Sequence, residues 1–115
     1  MAEKTLQQAL DIAQLLEDGK AEQVTVIDVT ELSSWTNFFV IATINSAAHC
    51  QGLVKQVKDF VKENELEFHQ THNKAPDGDN WNLLDIGSIV VHLMSKAARE
   101  FYELEKLWHA GKVLR

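Results

Sequence analysis

Apolar positions along this chain change period several times, and each change marks an element. Leu6, Ala9, Leu10, Ala13 and Leu16 recur at helical spacing, which predicts an amphipathic helix over about 5–18. Thr5, with Gln8 three positions on, has the capping-box pattern, and Gly19 suits the left-handed residue that ends a helix. "VTVIDV" (24–29) alternates and is β-branched, so a strand is expected there. "FFVIATI" (38–44) is nearly continuous in apolar residues, the pattern of a strand buried on both faces. Ser46 then opens a second helix in which Cys50, Leu53, Val54, Val57, Phe60 and Val61 keep helical spacing. "LEFHQ" (66–70) reads as a third strand and "THNKAPDGDN" (71–80) as a loop, with the only proline and two Asp around a Gly. "WNLLDI" and "IVVHLM" flank Gly87-Ser88 and predict a β-hairpin. Ser95 can cap a final helix, and "HAGKVLR" (109–115) reads as a tail.

The order α-β-β-α-β-β-β-α indicates an α/β domain whose mixed β-sheet is flanked by helices. No repeat, low-complexity tract or linker divides residues 1–115, so one small domain is expected, with its core over about 5–108. The final helix carries an excess of apolar surface. In "REFYELEKLW" (99–108), Phe101, Tyr102, Leu104, Leu107 and Trp108 spread over more than half the circumference at roughly 100° per residue. A helix lying on a single core needs a narrower stripe.

Composition narrows the functional classes. Eleven Lys+Arg against 17 Asp+Glu give a formal charge of −6, and the cations are scattered among acids. Grip on a phosphate backbone comes largely from clustered positive charge, so direct binding to DNA or other bare nucleic acid is not expected, whereas a basic protein surface is a plausible partner. No apolar run is long enough for a membrane span, and the first residues resemble neither a signal nor a transit peptide. One cysteine builds no disulfide framework, which fits a cytoplasmic location.

Residue types that carry chemistry are present without the spacing that chemistry needs. His69-x-x-His72 falls at a strand end and into a loop, and no second Cys or His pair stands at zinc-ligand spacing, so no metal site is expected. Asp77-Gly78-Asp79 has the spacing of a magnesium-binding carboxylate pair, but a turn is the simpler account. Neither G-x-G-x-x-G nor a P-loop occurs among the five glycines. Ser33-Ser34 lies in nothing like G-x-S-x-G, and Cys50 sits on the apolar stripe of its helix as an inert buried thiol would. The chain makes no case for an enzyme, and no cofactor is expected.

What remains is surface. Strand alternation puts Trp81, Leu83 and Asp85 on one face and Leu84 on the other, and on the partner strand Val90, His92 and Met94 share a face. A hairpin apolar on both faces needs cover on both. Either helices supply it and everything is core, or part of the area is a docking site rimmed by Asp85, Glu100, Glu103, Glu105 and Lys106.

"IDVTELSSWTNFFVIAT", "WNLLDIGSIVVHLM" and "REFYELEKLW", in that order and spacing, resemble the Iojap family of ribosomal silencing factors from about residue 5 to Trp108. The most specific parts are W-x-L-L-D-x-G followed by VVH, then the last of the three segments. The resemblance implies a nucleotidyltransferase-like core without the catalytic motif. It also implies a translational repressor that binds the large ribosomal subunit on its ribosomal protein fourteen and blocks joining of the small subunit, notably when nutrients run short; organellar members are tied to large-subunit assembly. Carried onto this chain, it points to Trp81, Asp85, Ile86, Met94, Tyr102 and Glu105 as contact candidates. The chain departs from the family pattern at Ser88, where an acid is usual, at Asn37, where Asp is common, and at "INSAAH" (44–49), which places Ala48 where Arg is expected. Two other readings stay open: a divergent nucleotidyltransferase using Asp77 and Asp79 on magnesium, and a homodimeric module that self-associates when free.

Overall fold

The computed structural model describes residues 2–31, 36–66, 70–73, 81–102 and 112–114. Helix α1 (Ala2–Asp18) leads into strands β1 (Glu22–Asp28) and β2 (Phe38–Ile44), then helix α2 (Ala47–Glu63). Strands β3 (Gln70–Asn73), β4 (Trp81–Asp85) and β5 (Ile89–Ser95), helix α3 (Lys96–Tyr102) and the short strand β6 (Lys112–Val113) complete the order. The six strands lie β3-β4-β5-β2-β1-β6. The sheet is mixed as expected: β2 runs parallel to β5 and every other pairing is antiparallel.

The apolar run of β2 is central because both its neighbours and both its faces are occupied, and all seven of its residues are buried. Val40, Ala42 and Ile44 face α1 and α2, joining Ile12, Leu16, Leu53, Val57, Leu84, Val91 and Leu93 in the larger core. Phe39 and Ile41 face the other way, joining Ile27, Val29, Val90, Met94 and Ala98 of α3. Two layers of helix thus sandwich one sheet. Burial of each Val, Ile, Leu, Phe or Met side chain is worth about 1.5–3 kcal/mol, so β2 anchors both cores at once.

Three elements differ from the sequence reading. Helix α1 begins at Ala2, because Ala2, Glu3 and Lys4 are good helix formers, so Thr5 lies within the helix instead of capping it. Strand β3 occupies 70–73, sharing Gln70 with the expected strand and taking 71–73 from the expected loop; residues 67–69 of the expected strand lie outside the described set. Its sequence QTHN has no apolar period, and its place comes from main-chain pairing with β4. The segment read as a tail contributes β6, which pairs with the free edge of β1. The serine caps do match: Ser46 Oγ accepts from His49 N (3.0 Å) and Ser95 Oγ from Ala98 N (3.1 Å), each at the third helical residue.

The end of α1 corrects the role given to Gly19. Ala21 N donates to Leu16 O (2.9 Å) and Lys20 N to Glu17 O (2.9 Å), the paired bonds of a Schellman motif. The left-handed residue of that motif is Lys20, with φ 74°. Helix α2 ends the same way, with Leu66 N to Val61 O (2.9 Å), Glu65 N to Lys62 O (3.2 Å), and Glu65 at φ 55°. Gly19 is small for another reason: a Cβ there would lie 2.5 Å from Leu53 Cδ2 and 3.0 Å from Gln56 Oε1. Substitutions at these adjacent positions should therefore move stability in opposite directions. Gly19→Ala forces a buried leucine to shift and is expected to cost about 1–2 kcal/mol. Lys20→Gly relieves a left-handed side chain and is expected to gain roughly 0.5–1 kcal/mol. Urea melts of the two variants check both signs.

Candidate functional site

The β4–β5 hairpin is held by its turn. Ile86 N donates to Ile89 O (2.9 Å), and Gly87 takes φ 86°, the left-handed region that favours glycine. Asp85 Oδ1 accepts from Gly87 N (2.8 Å), so this half-buried carboxylate braces the turn whatever else it does. Ser88 O accepts from Asn37 N (2.9 Å) and Phe38 N (3.1 Å), tying the turn to the entrance of β2. Two departures from the family pattern, Asn37 and Ser88, therefore meet through main-chain bonds that do not depend on their side chains. Ala48, the third, is exposed in the first turn of α2.

Register places the hairpin residues as alternation implies. Trp81 stands opposite Met94, Leu83 opposite His92, and Asp85 opposite Val90. This is the sheet face that α3 covers. His92 lies edge-on to Phe39, with ring centroids 4.8 Å apart, and is 3% exposed, the environment of a packing histidine. Leu83, half-buried beside this core, is an apolar residue the face still offers to solvent.

The six contact candidates separate. Met94 has no exposed surface and Ile86 only 6%, so both are interior: Met94 lies beneath this face and Ile86 belongs to the core on the opposite one. In the isolated chain both therefore support these faces from within. Their apolar types fit core and interface equally, and a strand flanked by apolar neighbours on both sides carries no signal to separate them. Asp85 is half-buried, Trp81 opens β4, and Tyr102 is the last residue of α3. Glu105 lies outside the described residues, as does most of the wide apolar stripe on 99–108.

Sequence reasoning missed Arg99. It is 7% exposed, and its guanidinium donates to Gln23 O (2.6 Å), Thr43 Oγ1 (3.0 Å) and Thr25 Oγ1 (3.2 Å). Gln23 sits at φ 49° where the β1–β2 register shifts, so the bulge turns a carbonyl toward the helix that needs an acceptor. One side chain thereby binds α3 to two strands. The signal available beforehand was Thr43, a hydroxyl inside an otherwise apolar central strand.

The remaining chemistry-bearing residues have structural partners. His49 Nδ1 accepts from Asn45 N (3.1 Å) and Nε2 donates to Gly19 O (2.8 Å), which fixes the tautomer and links α2 to the end of α1. Asn82 Nδ2 donates to Cys50 Sγ (3.1 Å), and burial pushes the Cys50 thiol up from its ordinary value near 9 despite that bond. The raised value means the neutral thiol is the folded form; its contribution to stability is full below the unfolded pKa and is lost as pH rises through the folded one. Native protein is expected to react slowly with a thiol reagent at pH 8 and at the rate of a free thiol once unfolded in urea. Among the described residues no three His, Cys, Asp or Glu side chains converge as a metal site. Asp77 and Asp79 lie outside them. No described helix is long and apolar enough to cross a membrane.

Comparison with known proteins places this arrangement. The family model "Ribosomal silencing factor during starvation" matches residues 2–114. A ribosomal silencing factor of Treponema pallidum is 38% identical over 108 residues, covering 90% of this chain and 92% of that one. A mouse protein named for mitochondrial assembly of the ribosomal large subunit is 34% identical over 98 residues, 84% of this chain and 43% of its own length. The crystal structure of a Chromobacterium violaceum protein superposes with a TM-score of 0.79 at 28% identity, covering 95% of this chain and 87% of that one. A sheet packed by α1 and α2 on one face and α3 on the other, with matches over nearly the full length, has one reading: this chain belongs to the family of ribosomal silencing factors that act during starvation.

Proposed function

We propose that this chain lowers translation by occupying the large ribosomal subunit, on its ribosomal protein fourteen, where the small subunit must dock. The observation that carries the reading is family membership over residues 2–114, and the large-subunit assembly named for the mouse relative supports the choice of subunit. The contact is drawn from Trp81, Asp85, Tyr102 and Glu105, with Leu83 added and Met94 as support from beneath. Physical terms agree with this choice. The chain's charge of −6 favours a basic protein surface and opposes exposed ribosomal RNA, so electrostatics steers encounter to protein. An apolar centre with acids at its rim suits such an interface.

The mechanism is steric exclusion. It needs no bond broken, no cofactor and no catalytic residue, and it works in the cytoplasm wherever free large subunits accumulate. Light scattering on mixing the two subunits tests it. Large subunits pre-incubated with excess protein should join small subunits at least tenfold less at the end point. Full joining at saturating protein would overturn the reading.

A further inference from the structure

The outer side of the helix layer carries a feature that the ribosome reading does not use. Between the C-terminal half of α1 and that of α2 runs a groove of about 450 Å³. Its floor is Leu15 and Phe60, both half-buried, and its rim is Asp18, Asp59 and Glu63. Gln56 and Gly19 complete the lining, and none of the lining residues is basic. The spacing explains the shape: Leu15 and Asp18 share one side of α1, while Gln56, Phe60 and Glu63 fall at i, i+4 and i+7 on α2.

We propose that this groove is a docking site for a cationic protein segment that presents two apolar side chains about one helical turn apart, flanked by Lys or Arg. Three observations carry the proposal together. The floor presents two apolar side chains, Leu15 and Phe60, in an open groove of about 450 Å³. Every charged lining residue is acidic in a chain already at −6, which complements a cation. And the end of the groove is preorganised: the Schellman bonds at Lys20 and Ala21, the His49 bond to Gly19 O, and the close approach of Gly19 to Leu53 fix the two helices there. Gln14 Nε2 also holds Asp18 Oδ1 (3.0 Å), setting that carboxylate at the rim. Nucleic acid is excluded by the same charge.

The proposal does not rest on the ribosome reading. The groove lies over the core of α1 and α2, while the hairpin contact lies on the α3 face. Both sites are open to occupation at once, so the protein could tether a second basic partner while its other face is engaged.

Fluorescence anisotropy tests it with a labelled 14-residue peptide bearing Leu and Phe four apart among Lys and Arg, against a scramble of equal charge that disperses the two apolar residues. The ordered peptide should bind at least tenfold more tightly than the scramble. Asp59→Lys with Glu63→Lys, both exposed positions, should weaken it at least tenfold. Glu22→Lys with Glu31→Lys changes the net charge equally at exposed positions outside the groove lining and should change affinity less than twofold. Equal weakening by the two double variants, or equal binding of peptide and scramble, would reduce the effect to general charge attraction and overturn the proposal.

Discussion

Replacing Arg99 with Met is expected to destabilise the protein by about 2–3 kcal/mol, the range for leaving buried hydrogen-bonding groups without their charged partner. The substitution keeps most of the apolar stem and removes the donors. Gln23 O and Thr43 Oγ1 are then left without the guanidinium, and Thr43 is 3% exposed, so water reaches it poorly. The bulge residue Gln23, in a left-handed conformation that an L side chain adopts at some cost, also loses its tie to α3. Arg99→Lys should recover only part of the loss, because a single ammonium does not reproduce a fork that serves one carbonyl and two hydroxyls. Urea melts measure this directly. A loss under 0.5 kcal/mol for Arg99→Met would mean that the bulge and α3 are held by packing alone.

The second large effect concerns binding. Trp81→Ala with Glu105→Lys is expected to weaken co-sedimentation with large subunits at least a hundredfold while leaving the circular dichroism spectrum unchanged. Aromatic anchors at the centre of an interface commonly carry 2 kcal/mol or more, roughly thirtyfold in affinity, and a charge reversal against a basic surface adds repulsion to the lost attraction. A double variant that still sediments with large subunits would remove the hairpin and last helix as the contact.

How far the sequence carried this account depends on what kind of force makes each element. Strand β2 was legible to the residue because seven consecutive buried positions leave a hydrophobic record of their own. The two serine caps and Gly87 were legible because each answers a local need: an orphan helix N–H or a positive φ. Strands β3 and β6 were not, since a polar edge strand is made by main-chain pairing with a distant neighbour. Gly19 was read for the wrong reason. A glycine at a helix end signals either left-handed backbone or close approach, and only the position of Leu53 decides which.

The site shows the same division. Alternation grouped Trp81, Leu83 and Asp85 on one strand and Val90, His92 and Met94 on the other, and the register brings the two sets to one face. It could not say that Met94 is sealed there or that Ile86 turns to the other core, because exposure depends on what packs above. Arg99 was not singled out, because the threonines that hold it stand on two different strands. A motif resemblance names positions; geometry shows which of them are interior and which brace a turn.

Sedimentation of the protein with purified large subunits, small subunits and joined ribosomes tests the central claim most directly. The account predicts co-migration with the isolated large subunit and with neither of the others. Absence from the large-subunit fraction, or equal binding to joined ribosomes, would contradict it.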